Sequence, residues 1–257
     1  MIDDFKIYIT TLNEENLIGY TIEALLKVFP AHQISVIDLG SQDATLDHIP
    51  GGIEVLKEEF PEGKGAAGRF FTKMKADYSQ AQEWVLWVDG DEIYPTSSLL
   101  KMKSWLEAAI AGEHDDKGLR LYWRILDSVA GRIYCSTEYL SAGPKLFNSN
   151  YFSFKRAWPQ EVIYPLSEDT PPVSDKNAFN GIWFWHGVLL RRSSIYDTAR
   201  IKKLGAKRGK YEQHLSWTTI DPPWDVDYDA VVEPEWTVVN MSTLQGDYDT
   251  KWRGRLE

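Results

Sequence analysis

Hydrophobic and polar positions change their period several times along the first hundred residues. Phe5 to Thr10 alternates and is rich in β-branched side chains, which predicts a first strand stopping at Thr11-Leu12-Asn13. From Glu14 to Phe29 the apolar residues Leu17, Ile18, Ile22, Leu25, Leu26 and Phe29 recur at helical spacing, predicting an amphipathic helix with Asn13 as its N-cap and Pro30 as its stop. Gln33 to Leu39 reads as a second strand, Gly40 to His48 as a turn and short helix, and Ile53 to Leu56 as a third strand. A glycine-bearing loop over Glu62 to Gly68 then leads to a helix over Arg69 to Gln82 and a fourth strand over Glu83 to Val88. Strands alternating with helices predict an α/β fold, with a mostly parallel central sheet covered by helices on both faces. In such sheets ligands bind beyond the carboxyl ends of the strands, so the loops at 11–14, 38–43, 62–69 and 89–91 are expected to line one cleft.

The pattern is less regular afterwards. Ser97 to Ala111 reads as a helix, Leu119 to Ile125 and Gly131 to Cys135 as strands, and Ser194 to Lys210 as a basic helix. Proline- and aspartate-rich sequence from Ser216 to Glu235 reads as an extended arm. A length of 257 residues suits one large domain, divided into a first half over 1–95, a second over 96–215 and a C-terminal arm over 216–257.

Composition narrows the class. No apolar run reaches the ~20 residues of a membrane-spanning helix, and Met1 to Asp4 lacks the basic start and apolar centre of a secretory signal, so a soluble cytoplasmic protein is expected. The single cysteine, Cys135, excludes an internal disulfide and is expected to be a small buried hydrophobe. A net charge of −10 opposes nonspecific binding to nucleic acid or anionic membrane. Against that average stands a local basic patch of Arg191, Arg192, Arg200, Lys202, Lys203, Lys207, Arg208 and Lys210.

The richest chemistry lies in Trp84 to Glu92, WVLWVDGDE. An apolar strand ends there in two aspartates, Asp89 and Asp91, separated by Gly90, which leaves room for a ligand to approach the backbone. Strand alternation would point both carboxylates the same way, as hard oxygen ligands for a divalent cation carrying a phosphate. The other meaning of such a pair in an acidic chain is a solvated turn, and the same spacing recurs at Asp225/Asp227, Asp227/Asp229 and Asp247/Asp249, expected to be surface loop. Gly63 to Gly68 matches the G-x-G-x-x-G dinucleotide fingerprint, which would indicate a nicotinamide oxidoreductase. Six mostly polar residues separate it from the preceding strand, however, and the element is third in the series rather than first. Lys64 and Arg69 of that loop are still expected to contact phosphate.

Taken together, the first ~95 residues resemble the inverting glycosyltransferases of family 2, which have the GT-A fold. The resemblance rests on Ile9 to Leu25 (ITTLNEENLIGYTIEAL), Val36 to Thr45 (VIDLGSQDAT) and WVLWVDGDE, three segments in the family's order and spacing. Leu39, Ala44 and Gly68-Arg69-Phe70 depart from the usual pattern. The resemblance implies a nucleotide-sugar donor, most often a UDP-sugar, bound with Mn2+ or Mg2+. Thr11, Leu12, Asn13 and Glu14 would then line the nucleoside pocket and Asp38 would accept the base N3–H. Asp89 would lie near the ribose and the metal, and Asp91 would bind the cation directly. Asp43 is the acidic residue most readily explained as structural.

His186, in Trp183 to Arg192, matches a histidine segment that supplies a further metal ligand in some relatives; a core histidine is the competing reading. His32, His48, His114 and His214 have no comparable setting. Glu161 lies where related enzymes often place a His-Glu pair and is the first choice for the catalytic base, with Glu138, Glu168 and Asp169 in reserve. The expected acceptor is a hydroxyl on a glycan or a lipopolysaccharide or polysaccharide precursor. A hydroxylated DNA base is the alternative motivated by the basic patch, and a noncatalytic nucleotide-sugar-binding module is the alternative of a different class.

Overall fold

The computed structural model describes residues 4–61, 64–129, 132–136, 140–155, 162–170, 173–174, 181–187, 193 and 217–219. Four parallel strands form its N-terminal half: β1 (Phe5–Thr11), β2 (Ile34–Asp38), β3 (Glu54–Lys57) and β4 (Trp84–Asp89), in the order β4-β1-β2-β3. Helix α1 (Ile18–Leu26) connects β1 to β2, and α2 (Lys64–Gln80) carries the chain from β3 back across to β4. After the two-residue strand β5 (Glu92–Ile93) and helix α3 (Thr96–Ile110), the sheet continues with β6 (Gly118–Val129), β7 (Arg132–Ser136) and β8 (Leu140–Asn148). Strand β8 joins the two halves by pairing antiparallel with both β4 and β6. Two short strands, β9 (Phe152–Lys155) and β10 (Val162–Pro165), form a separate hairpin ladder. Strands β11 (Val173–Ser174) and β12 (Trp183–His186) add to β6, and β13 (Trp217–Thr219) adds to β7.

The central strands are buried on both faces, which explains their nearly continuous apolar sequence. In β4, Trp84, Leu86 and Val88 face one cluster with Ile18, Ile22 and Leu25 of α1 and Leu99, Met102 and Leu106 of α3. Val85 and Trp87 face the opposite cluster with Phe71 and Met74 of α2. Each such side chain, fully buried, contributes about 1.5–3 kcal/mol, so these two layers fix the strand register.

That layering also positions a cleft. The chain leaves β1 on one face through α1 and returns to β4 on the other through α2, so the order of connection reverses between β1 and β4. This is a topological switch point, where the carboxyl ends of neighbouring strands splay and leave a crevice. Register places Thr11 beside Asp38 and Thr10 beside Asp89 at that end.

Three local expectations are corrected. Helix α1 starts at Ile18 after Leu17, and Asn13 is not its cap but a left-handed turn residue with φ 55°. Helix α2 starts at Lys64, so Gly65 and Gly68 lie within a helix and cannot form the phosphate loop of a dinucleotide fingerprint. Strand β4 ends at Asp89, so alternation does not carry through the turn at Gly90 and Asp91. The expected basic helix at 194–210 lies outside the described residues, as does the arm from 216 apart from β13. Among the described residues, no helix is long and apolar enough to cross a membrane.

Candidate active site

Two loops at the carboxyl ends of β1 and β2 are hydrogen-bonded into one wall. Asn13 donates its backbone N–H to Ser41 Oγ at 2.9 Å and accepts from Gln42 N at 2.8 Å through Oδ1. Glu14 N donates to Thr45 Oγ1 at 2.7 Å, and Glu15 Oε2 accepts from Ala44 N at 3.0 Å. The left-handed backbone of Asn13 turns its amide toward the second loop, a conformation asparagine tolerates better than most residues. Asp38 is 3% exposed and its carboxylate accepts from the Gly40 and Ser41 amides, so it orders its own loop. Asp43 accepts from Thr45 N at 3.0 Å and caps the 3-10 turn at Ala44–His48, the structural part expected of it. Thr11 and Glu14 are buried in this wall, whereas Leu12 is exposed at 38%.

At the end of β4 the acidic residues separate by environment. Asp89 accepts from Thr10 Oγ1 at 2.9 Å and lies 3.5 Å from Lys145 Nζ and 3.9 Å from Lys75 Nζ. Burial pushes its carboxyl up, but the Lys145 and Lys75 ammoniums outweigh burial and hold it at about 2. Glu92, 2% exposed, forms an ion pair with Lys145 and accepts from Tyr94 Oη and Asp89 N, both at 3.2 Å. Burial alone lowers the Lys145 pKa, yet Asp89 and Glu92 more than reverse this, so the ammonium stays charged. Lys75 is packed among Phe71, Trp87 and Phe154, with its Nζ 4.4–5.3 Å from the ring centroids.

Asp91 is 2% exposed and meets a different partner, His186, whose Nε2 lies 3.5 Å from Asp91 Oδ2. Strand β12 delivers the histidine. It pairs antiparallel with β5 through His186 and Glu92, and Gly187 N donates to Asp91 O at 2.8 Å. Gly90 sits beneath the β1 loop: a Cβ there would stand 3.1 Å from Thr11 Oγ1 and 3.2 Å from Glu14 Cγ. The close backbone approach expected of Gly90 is thus made to the chain's own loop.

One carboxylate oxygen and one imidazole nitrogen are donors that a divalent transition-metal cation such as Mn2+ accepts. Bonds of about 2.1 Å place adjacent ligands roughly 3 Å apart or slightly more, so an oxygen and a nitrogen at 3.5 Å suit two neighbouring positions on one ion. Among the described residues, no group of three His, Cys, Asp or Glu side chains forms a metal cluster. Asp89, expected as a further ligand, accepts from Thr10 and lies beside the two lysines.

The three motifs behind the resemblance therefore meet at one strand end, and the family comparison covers all of them. Residues 6–128 match the model of glycosyl transferase family 2. Thr11, Asp38, Asp89 and Asp91 fall inside the family 2 segment; Lys145 and His186 lie beyond it. Among solved structures, TarS (residues 1–349) of S. aureus is 21% identical with a TM-score of 0.37, covering 49% of this chain and 37% of that one. Glucosyl-3-phosphoglycerate synthase from Mycobacterium tuberculosis, in complex with Mg2+ and uridine diphosphate, is 21% identical with a TM-score of 0.35, covering 46% of this chain and 43% of that one. The chain thus spans less than half the length of either. No curated protein matches it.

Arg69 is exposed on α2, and Lys64 is the first residue of that helix. Glu168 and Asp169 are exposed in the turn after β10, and His32 and His48 are exposed on 3-10 turns. His114 packs on Trp105, and Cys135 is buried as expected. Glu138, Glu161, His214 and the basic patch lie outside the described residues. Sequence reasoning missed Lys75, Glu92 and Lys145. The signal for Lys75 was its place on the apolar stripe of α2 between Phe71 and Tyr78, where a cation needs a buried partner. Lys145 gave no comparable signal, because its strand contains Gly143-Pro144 and reads as a turn.

Proposed function

We propose that this protein is an inverting glycosyltransferase that moves a sugar from a nucleotide diphosphate, UDP being the first choice, to a hydroxyl acceptor. Mn2+ or Mg2+ would be held by Asp91 and His186. The observation that carries the proposal is the pairing of those two side chains at the switch point of a family 2 segment. When bound, the cation supplies positive charge against the pyrophosphate leaving group.

The chain's own residues do the rest. The interlocked 11–15 and 38–45 loops form the wall for the nucleoside, which an ordered wall receives at a lower entropy cost than a mobile one. Lys75 and Lys145 keep Asp89 ionised, ready to accept a hydrogen bond from a ribose hydroxyl. They also offset much of the negative charge of Asp89 and Glu92, so a diphosphate does not meet three uncompensated carboxylates. Glu161 is assigned as the base: it takes the acceptor's proton as the acceptor oxygen bonds to the anomeric carbon and the bond to the diphosphate oxygen breaks on the opposite face. A glycan hydroxyl is the proposed acceptor.

The test is UDP release from a panel of UDP-sugars, with and without Mn2+, by the wild type, Asp91→Ala and Glu161→Gln. Metal-dependent release that falls roughly 100-fold or more in both variants is expected. Release unaffected by chelation and by Asp91→Ala would refute the proposal.

A further inference from the structure

A histidine that binds a metal usually donates its second ring N–H to a carboxylate or carbonyl, which fixes how the ring faces the ion. Among the described residues His186 lacks that support: its Nδ1 is buried and has no hydrogen-bond partner. A different group holds the ring. Trp123 of β6 stacks on the imidazole, with centroids 4.4 Å apart and planes at 29°. The parallel register of β6 with β12 makes this contact, since Trp123 pairs with Phe184 and so lies diagonally beside His186 on one face of the sheet. Phe184, with its centroid 6.4 Å away at 57°, borders the ring on the same strand. The indole Nε1 of Trp123 is likewise buried without a partner among the described residues, so no indole hydrogen bond there accounts for its placement; what it offers His186 is a flat face.

We propose that Trp123 is a positioning residue for the cation site: its ring stacks on His186 and keeps Nε2 directed at Asp91, in place of the missing hydrogen bond. This rests on the reading of His186 as a cation ligand. A flat aromatic side chain at position 123 preserves the function, and an aliphatic one of adequate bulk does not.

The experiment titrates the full chain with Mn2+ alone, following the loss of the free-ion EPR signal, in the wild type, Trp123→Phe, Trp123→Leu and His186→Ala. Thermal melts without metal run alongside. Trp123→Phe is expected to bind within about two-fold of the wild type, and Trp123→Leu to bind about 10–100-fold more weakly, the range for loss of a group that orients a ligand. A purely structural tryptophan would lower the melting temperature of Trp123→Leu and leave its Mn2+ affinity alone. That result, with His186→Ala weakened, overturns the inference by itself. Unchanged affinity in His186→Ala overturns the ligand reading and the inference with it. Trp123→Met provides the same contrast where Trp123→Leu does not fold.

Discussion

Gly187 is where packing and the cation site can be tested together. Its amide holds Asp91 O, and a Cβ at this position would stand 2.7 Å from Leu17 Cδ1 and 3.3 Å from Asp91 O. Carbon atoms pack best at about 3.5–4.0 Å, so Gly187→Ala forces an overlap of roughly 1 Å. The backbone of Gly187 lies outside the left-handed region, so the strain is steric rather than conformational. Leu17 is fully buried and has no solvent to move into. Overpacking of this kind typically costs about 1–3 kcal/mol, equivalent to roughly 2–4 °C of melting temperature per kcal/mol in a chain of this size. Leu17→Ala alone should cost about 2–5 kcal/mol by leaving a cavity. In the double variant the alanine methyl enters that cavity, so the combined loss should fall short of the sum by about 1–3 kcal/mol. Urea melts of the four proteins measure this coupling. Additivity within about 0.5 kcal/mol would refute the claimed contact and, with it, the packing that sets His186 against Asp91.

The remaining predictions concern charge. Lys145→Met removes the ammonium that pairs with Glu92 and lies 3.5 Å from Asp89. Breaking such a buried pair from one side should cost about 3–5 kcal/mol, and Glu92→Gln added to it should restore part of that loss in urea melts; no restoration would show that the pair is not the cause. Tyr78 Oη donates to Glu58, and burial followed by that bond pushes its pKa from 10 up to about 12. A folded-state pKa above the unfolded one means that Tyr78 stabilises fully below pH 10 and loses this contribution as pH rises toward 12. Tyr78→Phe should therefore flatten the fall in stability over that interval, and an unchanged slope would reject the assignment. Chelation by EDTA should lower the melting temperature of the UDP-bound protein to that of the ligand-free chain, whereas a shift by UDP that survives chelation would contradict cation-dependent binding.

Much of the first half was legible because each strand there repeats one local rule. Phe5 to Thr10, Gln33 to Leu39 and Glu83 to Val88 are apolar runs of strand length, and their boundaries agree with β1, β2 and β4 to within a residue or so. The gathering of Asp89 and Asp91 at a strand end was visible for the same reason, because both follow directly on that buried apolar run. Helix starts were less legible. The glycines at 65 and 68 suggested a loop, yet the helix passes through them, since Phe71 packs with Val85 and Trp87 of the sheet and offsets the weak helical preference of glycine. Strands β8 to β11 escaped detection because they are short, irregular or broken by Gly-Pro, and draw their stability from neighbours far along the chain.

By itself, then, the sequence determined the alternation of strands and helices, the ends at which polar loops gather and the residue types offered there, since period and composition are local properties of the chain. Only the tertiary structure decided which of those residues meet. It turned Asp89 toward two lysines from α2 and β8, gave Asp91 to a histidine nearly a hundred residues later, and laid Trp123 across that histidine's ring. Contacts of this kind depend on strand register and on the packing of distant elements, and no local period encodes them.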